Sequence, residues 1–401
     1  MKLNAVLASV GLCAALAAFP FTASAKLDSC DGPITLGTTI SLTGPFSTQA
    51  GPWGKMTQDF AKAINADGGI PVKSCHKKIP IKFVVYDDQS VPANAVSLYE
   101  KMATVDKVDF FVGPDWSSMG FPVGPVAEKH QIPIVMANVS TPKVYERGLK
   151  WVFGTPYPEV SLWSKQYFDM LAHMNPRPKT IFFITEDNPV TKAISGVWTK
   201  KAEAAGMKLV GNMTFPPTLK DFTAIVLRMQ AARPDVIYIS SFDVASLPLV
   251  QQMRQLKVHA MDVHHALISG SLQKQVDIEG MTGELPWYPG VKGPYSDLVT
   301  KVIKQSGSDP FQYVFTMARI ASYLVMVQAI EKAGIVDREK VREALYMGHF
   351  KAPMGPVVFD KNGYPESNGA FTLQIQHGKV VIVWPPDKAT GKPIWPSPSW
   401  Q

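Results

Sequence analysis

Short β-branched apolar runs alternate with stretches of helical period along most of the chain. Ile34–Ile40, Ile79–Tyr86, Asp109–Val112 and Ile132–Met136 read as strands. Between them, Met56–Ala66 has helical character and is stopped by Asp67-Gly68-Gly69, and Ser90 and Pro92 open a helix to Val105. A third helix follows Gly113-Pro114 and two serines and runs to His130; Pro122 and Pro125 inside it predict a bend or an early stop. Trp151–Pro158, with three aromatics, two prolines and no clear period, reads as a crossover segment. A second alternating set then begins: strands Thr180–Thr185, Leu209–Phe215, Val236–Ser240 and a weaker Val258–Val263, with helices Val190–Ala205, Phe222–Ala232, Ala245–Leu256 and a short one near Leu267–Val276. Helices Ser296–Gln305, Phe311–Ala333 and Arg338–Met347 come without strands between them. Val357–Phe359, Phe371–Gln376 and Val380–Trp384 are short strands joined by Asn362-Gly363 and His377-Gly378, and a Pro-rich, extended tail starts at Pro385.

Two such sets predict an α/β protein with two mostly parallel sheets flanked by helices. In open parallel sheets ligands bind beyond the carboxyl ends of the strands. That rule singles out the loops Ser41–Gly54, Asp87–Ser90, Gly113–Ser118, Asn138–Pro142, Glu186–Pro189, Ser241–Val244 and His264–Ile268.

The first 25 residues stand outside this pattern. Lys2, the apolar Ala5–Phe19 and Ala23-Ser24-Ala25 have the form of a cleaved export signal, and no later segment offers about 18 uninterrupted apolar residues. An exported, soluble product is expected. Val10-Gly11-Leu12 before Cys13 places a bulky Leu12 where a lipoprotein signal needs a small residue. Signal removal leaves Cys30 and Cys75, an even pair that predicts one disulfide in an oxidising compartment, with two free thiols as the alternative. It also leaves 39 basic against 33 acidic residues. The lysines are scattered and accompany no nucleic-acid motif, so the charge reads as solubility and a mild preference for anionic ligands.

Candidate chemistry centres on FFVGPDWSSMGF, Phe110–Phe121. A strand, a tight turn and a helix opening on Ser117 and Ser118 bring free N–H groups, a positive dipole end and hydroxyls together, which suits an anion; a plain helix cap is the alternative. Trp116 sets an aromatic surface beside those donors. No Walker loop, G-x-G-x-x-G, G-x-S-x-G or H-E-x-x-H is present, and Ser117 has no His or Lys beside it in sequence, so catalysis is not expected. His264-His265 is the sole histidine pair; adjacent side chains diverge, so no metal and no cofactor are expected there. Asp87-Asp88 reads best as a turn and helix cap.

With those features in order, the chain resembles a known family. Thr38–Ile70 (TTISLTGPFSTQAGPWGKMTQDFAKAINADGGI), Tyr86-Asp87-Asp88, Phe111-Val112-Gly113-Pro114, Ile132-Pro133-Ile134 and Glu186-Asp187-Asn188 are similar to the branched-chain amino-acid-binding periplasmic receptors that serve ABC importers. The resemblance implies a type I two-lobed clamshell with three crossovers. Lobe 1 would comprise 26–154 plus 286–358, and lobe 2 155–285 plus 359–401. A monomer is implied, with a membrane permease and a small organic acid as its partners.

Carried over residue by residue, the family's site implies Trp53 as a cleft aromatic, Ser117 as the carboxylate grip, and Asn138 and Ser140 as the head-group pair. Phe242 would be the second-lobe aromatic. The family's acid, which pairs with a ligand ammonium, is due near Val263–Leu267, where the sequence has Val-His-His-Ala-Leu. A buried ammonium without a carboxylate is strongly disfavoured. An aromatic or hydrophobic carboxylate is therefore expected, walled by Trp53, Trp116 and Phe242, with His264 or His265 meeting a ring hydroxyl or a second acid. Tyr157, Trp287 and Tyr288 are further rim candidates, with hinge packing the alternative for the last two. A branched-chain amino-acid or amide receptor, or a sensor on the same fold, is the other function the resemblance allows.

Overall fold

The computed structural model describes residues 30–154, 160–187, 189–241, 243–258, 260–264, 275–288, 291–308, 313–366 and 370–396. The expected signal segment, Tyr157, Phe242 and His265 lie outside the described residues, as does the expected helix near Leu267–Val276 except for its last two residues.

One sheet runs, edge to edge, through Ile81–Asp87, Ile34–Ile40, Phe110–Val112, Ile134–Val135 and Val152–Phe153, all parallel. Its inner strands are buried on both faces, which is why Phe110–Val112 reads as an unbroken apolar run and why Ile34–Ile40 buries Thr38 and Thr39 with its apolar residues instead of alternating. Helix Trp53–Ala66 covers one face with Trp53, Met56, Thr57, Phe60 and Ala61, an i, i+3, i+4, i+7, i+8 stripe. The second sheet runs through Lys208–Phe215, Thr180–Glu186, Val236–Ser240, Met261–His264 and Thr282–Leu285 in parallel, then adds Phe371–Gln376 and Lys379–Trp384 antiparallel. This is the α/β architecture that the alternation predicts.

The chain leaves the first sheet at the carboxyl end of Val152–Phe153 and the second at the carboxyl end of Thr282–Leu285. The carboxyl ends of both sheets therefore lie on the side of the crossings. Helices Ser296–Ser306 and Tyr313–Ala333 return to the first lobe, where they pack against Trp53–Ala66 and its neighbours.

Four details differ from the sequence reading. Trp151–Pro158 is not all crossover, because Val152 and Phe153 add the edge strand of the first sheet. Pro122 and Pro125 do not stop helix Ser117–His130. Proline at 125 leaves the Phe121 carbonyl without its N–H one turn on, and Arg147 Nη1 takes that place at 2.5 Å. Ile70–Val72 and Lys77–Ile79 form a small hairpin that short strand length concealed. The last crossing also falls later than 358/359. Phe359 packs on Phe153 with ring centroids 5.3 Å apart. Tyr364 packs on Tyr145 at 5.0 Å, and Gly154 N donates to Gly363 O at 2.7 Å. The chain thus stays with the first lobe through Pro365–Glu366.

Cys30, just before the first strand, and Cys75, in the turn of the small hairpin, are placed as a disulfide with Cα atoms 5.5 Å apart. The described part of the Pro-rich tail is anchored: Ile394 N donates to Gln374 Oε1 at 2.7 Å, and Trp395 Nε1 donates to Pro176 O at 2.6 Å.

Candidate functional site

The loops at the carboxyl end of the first sheet are tied to one another by carboxylates. Asp88 accepts from Ser41 Oγ at 2.6 Å, Thr39 Oγ1 at 2.8 Å and Ser90 N at 3.0 Å. Asp87 accepts from Leu42 N, Thr43 N, Thr43 Oγ1 and Gln89 N. Both acids are consumed in pinning loops 41–43 and 87–90, the turn-capping role that the sequence favoured.

The next loop, Gly113–Trp116, is held from below. Gly113 has φ +80°, and a Cβ there would come within 2.8 Å of Thr38 Oγ1, so only glycine fits. Asp115 is buried and ion-paired with Arg319, whose guanidinium is completely buried. Arg319 also donates to Thr38 Oγ1 at 2.7 Å, Thr39 O at 3.1 Å and Tyr323 Oη at 2.6 Å. Asn138 Nδ2 donates to the other Asp115 oxygen at 2.7 Å and to Phe315 O at 3.0 Å. Two loops and helix Tyr313–Ala333 are thereby fixed to one buried ion pair.

On this base Trp116 adopts φ +68°, a conformation that costs a bulky residue roughly 1–3 kcal/mol and persists only where its surroundings over-determine it. They do so here: its ring lies 5.1 Å from Phe46, 5.4 Å from Phe315 and 5.9 Å from Trp53, centroid to centroid. Its indole Nε1 is buried with no hydrogen-bond partner, and so is Asn138 Oδ1.

Ser117 opens helix Ser117–His130, and its N–H and that of Ser118 have no carbonyl one turn earlier. Thr141 Oγ1 donates to Ser117 Oγ at 2.8 Å. That leaves the Ser117 hydroxyl proton available to an acceptor. Ser140 is half-buried on the same loop as Thr141. Ser117, Asn138 and Ser140 are therefore gathered at one edge, with Trp116 beside them.

Trp53 lies one layer deeper than a cleft wall. It is completely buried, its Nε1 donates to Thr316 Oγ1 at 3.0 Å, and its ring is 5.7 Å from the Arg319 guanidinium. It backs Trp116 and presents no face of its own. Phe46 and Phe315 flank Trp116 at the half-buried edge instead. Trp287 is likewise completely buried, in line with hinge packing.

In the second lobe His264 ends strand Met261–His264, paired between Ile239 and Gly283. The nearby acid that sequence reasoning missed is Glu186, at the carboxyl end of Thr180–Glu186 and only 5% exposed. It accepts from Ser241 Oγ at 2.9 Å. Thr191 Oγ1 donates to its carbonyl at 2.6 Å, and Ser240 Oγ to Thr191 O at 2.8 Å. Its place at a strand end, inside the loop Glu186–Pro189, was the available signal.

Parallel sheets in two lobes, crossed three times by the chain with their polar loops on the crossing side, define a receptor for small solutes in the type I architecture. The family model described as periplasmic binding protein matches residues 33–379, and the chain belongs to that family. It is similar to the leucine-, isoleucine-, valine-, threonine-, and alanine-binding protein of Pseudomonas aeruginosa, 25% identical over 346 residues, covering 84% of this chain and 89% of the relative. The branched-chain amino acid transporter substrate-binding protein LivJ of Streptococcus pneumoniae, solved with isoleucine, superposes with a TM-score of 0.69 at 18% identity, covering 87% of this chain and 97% of that one. A solute-binding protein from R. palustris, solved with 4-hydroxybenzoate, gives a TM-score of 0.68 at 16% identity, covering 90% and 98%.

Proposed function

We propose that this chain is an exported, non-catalytic receptor that captures a small organic acid between its lobes and delivers it to an ABC-type permease. The observation that carries the reading is Ser117: a helix-opening hydroxyl that accepts from Thr141 keeps its own proton for a ligand, beside two backbone donors. Trp116, flanked by Phe46 and Phe315, supplies a flat apolar surface for the ligand body. An aromatic or hydrophobic carboxylate fits this combination, and the neighbour solved with 4-hydroxybenzoate supports it. Ligand contacts with both lobes stabilise the closed form that a permease recognises. The mature chain works as a periplasmic monomer with Cys30 and Cys75 bridged.

A second reading has its own support. Glu186 supplies a buried carboxylate in the second lobe, the partner that an amino-acid ammonium needs, and the Pseudomonas relative is named for amino acids. Native mass spectrometry of the freshly purified protein, followed by calorimetry with aromatic acids and branched-chain amino acids, separates the two. Binding of aromatic acids supports the first reading; tight leucine binding with no aromatic-acid binding replaces it by the second.

A further inference from the structure

We infer that Glu284 is a proton-operated latch on the strand that leads the chain out of the second lobe. With its proton it stays sealed in the sheet and holds the crossing that follows; without it, that strand and crossing open while the rest of the sheet stays closed. The inference concerns the hinge and stands apart from the identity of the ligand.

Glu284 lies on Thr282–Leu285, after which the chain crosses back to the first lobe. It is completely buried, and neither carboxyl oxygen has a hydrogen-bond partner. The pairing register shows what lies around it. Tyr238 and Thr282 are both paired with Val263, and Thr372 lies opposite Glu284 on the antiparallel side. Side chains alternate along a strand, so Tyr238, Thr282, Glu284, Thr372 and Gln374 share one face of the sheet. Tyr238 stacks on Trp198 of helix Pro189–Ala204 with ring centroids 4.0 Å apart, which identifies that face as the one the helices cover. The hydroxyls of Tyr238 and Thr372 are buried without partners as well.

Little on the surrounding elements can compensate a charge there. Val236–Ser240 contributes the phenol of Tyr238, and helix Val160–His173 the buried phenol of Tyr167; Lys165, Asp169 and His173 of that helix are exposed. Phe371–Gln376 brings only Thr372 and Gln374 to this face, and Asp262 and His264 occupy the alternate register positions of Met261–His264. Half-buried Lys201 on helix Pro189–Ala204 pulls on the carboxylate, but burial outweighs it and holds the carboxyl well above its ordinary value. A buried carboxylate without partners either keeps its proton or lets water in.

The strand is built to part at this point. Among the described residues, its parallel ladder with Met261–His264 covers Thr282 and Gly283 and stops short of Glu284, which is paired on its antiparallel side only. Trp287, three residues further on in the crossing, is completely buried and moves with the strand end. Lobe closure turns on the crossings, so the proton on Glu284 sets how firmly this one is held.

Hydrogen exchange of the mature protein without ligand, read by mass spectrometry at about pH 5 and about pH 8, tests this. Protection factors are compared, so that the intrinsic pH dependence of exchange drops out. The closed strand holds the proton more tightly than the open one. Each pH unit between the ordinary value of 4.5 and the folded value therefore raises the open population up to about tenfold. Protection over residues 282–287 is expected to fall about tenfold or more between the two conditions, to below that of Val236–Ser240 in the same sheet. The small hairpin Ile70–Ile79 is expected to stay level, and in Glu284→Gln residues 282–287 stay level too. Protection over 282–287 that is the same at both pH values overturns the inference, as does a fall that persists in Glu284→Gln. Equal protection of 282–287 and Val236–Ser240 at both pH values also overturns it, since the strand then opens only when the whole lobe unfolds. The wild-type comparison decides the matter even if the variant does not fold.

Discussion

Arg319 and Asp115 form an ion pair sealed from solvent, the guanidinium completely buried and the carboxylate 2% exposed. The pair joins a helix late in the chain to the turn that presents Trp116 and Ser117. Removing one partner leaves the other charged and buried, which typically costs about 3–5 kcal/mol. Arg319→Met and Asp115→Asn are each expected to lose stability on that scale in urea unfolding, and the double variant to lose less than the sum of the two. Strict additivity would show that the two groups do not depend on each other.

Glu284 supplies a pH dependence of a different kind. Its side chain is completely buried in the second lobe, and neither oxygen has a hydrogen-bond partner. Burial holds its carboxyl well above the ordinary value of 4.5, against a weaker opposing pull from Lys201. Burial first and Glu284 second push the Tyr238 hydroxyl up as well, and Thr372 lies across the strand pair from Glu284. The folded state binds the Glu284 proton more tightly than the unfolded state does. Stability is therefore full below about pH 4.5 and is lost as pH rises toward the folded value, by up to about 1.4 kcal/mol per pH unit. Glu284→Gln is expected to be more stable than wild type at pH 8, with the difference shrinking as pH falls toward 4.5. Parallel stability profiles for the two proteins would contradict this.

The Cys30–Cys75 bridge closes a loop with a sequence separation of 45. The chain-entropy relation gives about 4 kcal/mol for a loop of that length. Cys30→Ser/Cys75→Ser is expected to unfold at clearly lower urea with little change in ligand affinity, since the bridge is remote from Ser117. An unchanged midpoint would show that the thiols are not bridged in the purified protein.

Local patterns made much of this molecule readable in advance. Buried parallel strands leave apolar runs such as Phe110–Val112 and Val236–Ser240, and setting Cys13 apart with the expected export signal singles out the pair Cys30 and Cys75. The positions of Ser117 and Asn138, just beyond strands Phe110–Val112 and Ile134–Val135, were legible from the strand ends. What escaped depends on partners far away along the chain. Arg319 meets Asp115 across a separation of 204 residues, and its one sequence signal is that it is the sole charge in Tyr313–Ile330. Trp53 looked like a wall because its motif sits in a loop region, yet Thr316 and Arg319 draw it into the core. Val152–Phe153 is too short for its period to show.

The role of Ser117 is the claim on which the functional reading depends, and Ser117→Ala tests it with little disturbance of the fold. A hydrogen bond to a charged group contributes about 1.5–3 kcal/mol. Calorimetry with whichever small carboxylate the wild type binds is expected to show a roughly tenfold to hundredfold weaker Ser117→Ala protein with the same unfolding midpoint. Equal affinity in the two proteins would contradict the assignment of Ser117 as the carboxylate anchor.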